Sequence, residues 1–161
     1  MAIVLSSIAL LFSAFVFLYN RRANKRELLL RVHDQQLAAD RQHGRRVLFE
    51  IVERSQPPED LPDEDHRAAN HALSVLDLMG FLYCKRYIPR RDAMALWART
   101  AVRLVDAAEA SGFLALRDAQ NGAPIWPYLR RFTADARSYI ERSQRVAMSE
   151  DDPPAVDSTS V

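Results

Sequence analysis

Residues Ala2 to Tyr19 read AIVLSSIALLFSAFVFLY, a run with no charged side chain, and Arg21, Arg22, Lys25 and Arg26 follow at once. At about 1.5 Å per residue these eighteen residues reach roughly 27 Å as a helix, close to the thickness of a hydrocarbon core. Three readings of the run compete. A cleaved signal peptide carries basic residues before its apolar stretch and small residues after it, whereas here the basic residues come after and the flank is bulky. A helix buried in a soluble domain carries a polar face, and this run offers only Ser6, Ser7, Ser13 and the terminal Asn20. A retained single-pass anchor is the remaining expectation. Basic residues beside a span favour the cytosolic side, so the bulk of the chain is expected in the cytosol, at the inner membrane of a bacterium. The lone Cys84 excludes an intrachain disulfide and agrees with that side.

Arg21, Arg22, Lys25 and Arg26 are the candidate membrane-surface contacts. Each can attract an anionic headgroup with roughly 1 kcal/mol, although topology alone also explains them. Ala2, Ser6, Ala9 and Ser13 give two small-xxx-small spacings, which allow close approach of two membrane helices. Self-association is therefore one expected interaction, beside the lipid bilayer and a protein partner. The chain has 22 basic and 21 acidic residues, a net of +1, which gives no argument for nucleic-acid binding.

The organisation reads as all helix. No segment alternates with period two and β-branched enrichment. The expected architecture is an anchor over 1–20, a basic helical stalk over 21–46, a compact bundle of about four helices over 47–147 and a disordered acidic tail over 148–161. Arg31 to Arg46 is polar nearly all round and predicts a solvated stalk. Glu27, Asp34 and Arg41 occupy the positions that a coiled coil needs apolar. Val47, Leu48, Ile51 and Val52 mark the expected junction with the core. Pro57, Pro58 and Pro62 break the chain. Asp63, Glu64 and Asp65 then suit the first turn of a central helix running to about Lys85. Pro89 starts the next helix, whose face is Met94, Trp97, Ala101, Leu104, Val105 and Ala108. Gly112 suits a C-cap, and Phe113, Leu114 and Leu116 a short helical turn or loop. Asn121, Gly122 and Pro124 are turn residues. Pro127 opens a last helix with Leu129, Phe132, Ala136, Tyr139, Ile140 and Val146 on one face. The tail, rich in acidic and small polar residues, has too little apolar surface to order itself.

Catalytic motifs are not evident. His33, His43, His66 and His71 show no metal-ligand spacing with a carboxylate and read as surface residues. Cys84 sits at an apolar helix end and reads as an inert thiol. Trp97 and Trp126 read as core residues, and the pairs Arg45-Arg46, Arg90-Arg91 and Arg130-Arg131 as solvated flanks. The candidate buried polar site is Asn70, Ser74 and Asp77, inside an otherwise apolar stretch. A carboxylate there needs a partner, and an ion pair with Arg99 or Arg103 is the expectation; a functional pocket is the alternative. No catalytic residue, cofactor or metal is expected.

The span with its basic flank, the stretch Asn70 to Asp77, Arg90 to Trp97 and Trp126-Pro127-Tyr128-Leu129 resemble a family of small bacterial single-pass membrane proteins of unknown function. The resemblance covers residues 1 to about 142 and implies a membrane helix, a basic stalk and a cytosolic helical domain. It carries no activity and no site. The expected function is a membrane-anchored interaction or scaffold module that acts by raising the local concentration of what it binds. The alternative is a phage or envelope structural factor, in the manner of a spanin, with its domain in the periplasm.

Overall fold

The computed structural model describes the backbone of residues 2–37 and 39–150; within these, the side chains of 2–9, 11, 18, 21, 22, 26, 35–37, 39–41 and 146–150 lie outside the description. Six α-helices account for nearly all of it: α1 Ala2–Leu37, α2 Ala39–Arg54, α3 Asp63–Cys84, α4 Arg90–Ala110, α5 Phe113–Asn121 and α6 Pro127–Glu150. A 3-10 turn, Pro58–Asp60, lies between α2 and α3. The described residues contain no strand. The expected all-helical bundle is what forms.

Prolines set the starts. Pro62 and Pro89 stand just before α3 and α4 in extended conformation. Their carbonyls accept the first helical bonds, from the His66 and Ala93 amides at 2.9 and 3.0 Å. Asp63, Glu64 and Asp65 lie in the first turn of α3, where they favour the helix dipole. Gly112 and Gly122 flank α5 with φ of 77° and 72°, a conformation cheap only for glycine. The short turn expected near Phe113 is thus a defined helix.

Helices α2, α3, α4 and α6 enclose the core, and α3 packs against the other three. Its Ala69, Leu73, Leu76 and Met79 are fully buried. All six apolar positions expected on α4 are buried, as are Leu129, Phe132 and Ala136 of α6. Two glycines permit the closest approaches. A Cβ on Gly44 would sit 2.1 Å from the Ala68 carbonyl oxygen, so α2 can lie against α3 only with glycine there. A Cβ on Gly80 would sit 2.5 Å from the Tyr128 carbonyl oxygen, and α6 crosses α3 at that point.

Two expectations need correction. The stalk is not solvated throughout. Leu29 and Val32 are buried members of the core cluster, Leu28 packs beside them, and the His33 ring lies 6.1 Å from Trp97. Gly44 is also inside the packed region. The core therefore begins at the end of α1, ahead of the expected 46/47 boundary, because a few apolar positions at helical spacing suffice to dock a mostly polar segment. The tail boundary moves as well: α6 runs to Glu150, and residues 151–161, most of the expected disordered tail, lie outside the description. Finally, among the described residues no helix is long and apolar enough to cross a membrane, so the anchor expected over 1–20 is not established by the fold. The small-xxx-small positions Ala2, Ser6 and Ala9 also fall among the undescribed side chains.

Candidate functional site

Asn70, Ser74 and Asp77 lie on α3 at spacings of four and three, which place them along one side of the helix. That side receives the start of α6. Asp77 Oδ1 accepts from the backbone amides of Tyr128 at 2.9 Å and Leu129 at 2.8 Å. The Trp126 indole donates to Ser74 Oγ at 3.1 Å, and the Ser74 hydroxyl donates to the Asn70 carbonyl at 2.8 Å. The first helical bond of α6 is Arg130 N–H to the Trp126 carbonyl, 3.1 Å. Pro127 has no N–H to satisfy. All the amide donors at this helix start are thereby accounted for, two of them through a carboxylate from another helix.

This arrangement corrects the expected partner of Asp77. The carboxylate meets backbone amides and the positive end of a helix dipole, not Arg99 or Arg103. Arg103 instead lies over the Phe49 ring at 5.4 Å. The Asn70 Oδ1 is buried without a hydrogen-bond partner. Trp126 adopts φ 53°, rare for a bulky residue that precedes proline. Its burial and its indole bond to Ser74 hold it there. Asp118 secures the approach to this corner: its Oδ1 accepts from the Ile125 amide at 2.8 Å and its Oδ2 pairs with Arg130 at 2.7 Å. The spacing of Asp77 and Ser74 was visible in the sequence, but their partners lie some fifty residues away.

A second polar cluster joins α3, α4 and α6. Tyr83 donates to Asp135 Oδ2 at 3.0 Å, the Arg90 guanidinium lies 4.9 Å from its ring centre, and Phe132 meets the ring edge-on at 5.0 Å. Burial and then the Asp135 hydrogen bond push the Tyr83 hydroxyl up to about 12. Nothing in the sequence pattern singled out this tyrosine. Cys84, beside it, is half-buried, and burial raises its thiol pKa. A thiol held protonated is a poor nucleophile, as expected for it. Trp97 and Trp126 are buried, in keeping with a core role. Arg130 departs from a purely solvated flank through its Asp118 pair. His43 pairs with Asp65 at 2.9 Å and His66 packs on Phe113. Among the described residues no three His, Cys, Asp or Glu side chains gather as metal ligands.

The membrane-surface candidates lead to a different place. Lys25 lines an open groove of about 980 Å³ with Phe17, Asn20, Asn24 and Leu28 of α1 on one wall. Lys85, Arg86 and Tyr87, from the turn after α3, form the other wall. The side chains of Arg21, Arg22 and Arg26 lie outside the description. The turn is well defined. The Arg86 amide donates to the Tyr83 carbonyl at 3.1 Å and the Tyr87 amide to the Leu82 carbonyl at 2.9 Å, the double closure of a Schellman motif. Arg86 holds the left-handed position of that motif, with φ 60°. Just beyond, Ile88 is buried and fixes the turn to the core.

Compared with protein-family profiles, with curated proteins and with solved structures, the chain matches none.

Proposed function

We infer that this chain is a membrane-tethered helical module, with the N-terminal half of α1 in a bilayer and the bundle on the cytosolic face of a bacterial inner membrane. The observation that carries the reading is the exposure of α1 before its basic residues. Leu10, Phe12, Phe15, Phe17 and Tyr19 are 64–73% exposed. At about 100° per residue they are spread round the axis rather than confined to one stripe. A helix that offers apolar side chains to its surroundings on several sides is stable only in an apolar medium or inside an assembly. The eighteen uncharged residues from Ala2 to Tyr19 reach roughly the thickness of a hydrocarbon core as a helix, and the arginines behind them favour the cytosolic side.

The module works by tethering: whatever protein or second copy it binds is held at the membrane at a raised local concentration. A scaffold role is supported by the use of Ser74 Oγ and Asp77 Oδ1 in seating α6. Carbonate extraction of cell membranes, combined with phosphatase and fluorescent-protein fusions at the C-terminus, tests the reading. The chain should stay in the pellet, and only the fluorescent fusion should be active. Release into the supernatant overturns the anchor; an active phosphatase fusion overturns the topology and favours an envelope factor with an external domain.

A further inference from the structure

We propose that the groove between α1 and the turn Lys85–Tyr87 is a binding site for the phosphate headgroup of an anionic phospholipid. This rests on the anchored reading of α1 and adds a specific ligand to it. The groove begins at Phe17, at the end of the apolar run, and continues to Leu28. Eleven residues separate them, about 16 Å of helix. With the run in a bilayer, the groove therefore lies at headgroup level. Three cations, Lys25, Lys85 and Arg86, line it, and none of them forms an ion pair among the described residues. Lys85 and Arg86 are fixed by the folded domain, 60 residues along the chain from Lys25, so their convergence on α1 is made by the tertiary structure. Tyr87, half exposed, and Tyr19 bring to this level the amphipathic rings that suit a membrane interface.

Arg86 supplies a separate argument. It occupies the left-handed position of a helix-ending motif where glycine is the favoured residue, because a Cβ there costs energy. Arginine there costs stability relative to glycine, as Ser55 does at the equivalent position ending α2, while its side chain lines the groove. Structural and binding roles then predict opposite effects of Arg86→Gly: the fold gains and the lipid contact is lost.

The full chain in dodecyl maltoside micelles is titrated with phosphatidylglycerol or phosphatidylcholine, and retained lipid is read by native mass spectrometry. The wild type should retain phosphatidylglycerol in preference. Lys85→Gln should weaken that retention about fivefold, and Lys85→Gln with Arg86→Gly about 30-fold, as expected for loss of one and two headgroup contacts. The melting temperature of Arg86→Gly should equal or exceed that of the wild type. Equal retention of the two lipids, or retention unchanged in the double variant, overturns the proposal. Displacement of the lipid by millimolar inorganic phosphate also overturns it, since the site would then take any phosphate. Carbonate extraction of the same wild-type chain separates the two failures: an extracted chain ends the anchored reading, and an inserted chain without lipid preference ends this inference alone.

Discussion

Asp77 distinguishes a charge that pairs with a charge from one that caps a helix. An aspartate paired with arginine loses as much by becoming asparagine as by becoming alanine, because the charge is gone in both. An aspartate that accepts from two backbone amides keeps an acceptor as asparagine. Asp77→Ala should therefore cost about 2 kcal/mol and Asp77→Asn about half that, both measured by urea unfolding. Equal losses would favour the ion pair over the geometry seen here. Tyr83 makes a pH statement of its own. Its hydroxyl is held protonated up to about 12, while an unfolded chain releases that proton near the ordinary value of about 10. The folded state thus binds more protons than the unfolded state between the two values. Stability from this group is complete below the lower one and falls as pH rises toward the upper. For a side chain only 5% exposed the loss is roughly 2–3 kcal/mol in all. Tyr83→Phe should flatten the decline in unfolding free energy between about pH 10 and 12, and an unchanged slope would place the proton linkage elsewhere.

At the level of elements, two glycines decide which helices touch. Glycine in a helix interior is weaker than alanine by about 1 kcal/mol on propensity alone. Gly44→Ala and Gly80→Ala should nonetheless destabilise, because a Cβ at either position meets backbone that cannot move without shifting a helix. A net loss of about 2 kcal/mol or more is expected for Gly44→Ala, where the contact would be tightest, read as a lowered melting temperature by circular dichroism. A gain in stability would mean that α2 does not lie against α3 as described. The seating of α6 shows the same division of labour. Gly80 makes room, Asp77 and Ser74 hold the helix start, and the Phe81 and Tyr128 rings close edge-on at 5.1 Å.

Across the whole molecule, the inclusion of α1 in the core has a direct consequence for truncation. Removing residues 1–22 leaves Leu28, Leu29 and Val32 in place and should give a bundle that unfolds cooperatively. Removing residues 1–46 takes away those three and the Gly44 contact and should give a chain that unfolds without a sharp transition. The loss of Leu29 and Val32 burial alone is worth about 3–5 kcal/mol, a large part of a small domain's stability. Identical melting of the two truncations would restore the boundary expected from sequence.

The helical class, and the starts and apolar faces of α3, α4 and α6, were legible in the chain itself. Proline position and 3.6-residue periodicity are local properties, and local backbone energetics act on them directly. The carboxylate at Asp77 was legible as a group in need of a partner, and Tyr19 with its basic flank as the end of an apolar run. The partner of Asp77, the role of Gly44 and Gly80, the docking of Leu29 and Val32 and the meeting of Lys25 with Lys85 and Arg86 were decided only when the helices packed. Each joins residues far apart in sequence, and nothing in the neighbourhood of either residue encodes the distance between them. Periodicity shows that a helix has a face to bury; packing alone selects the helix it is buried against.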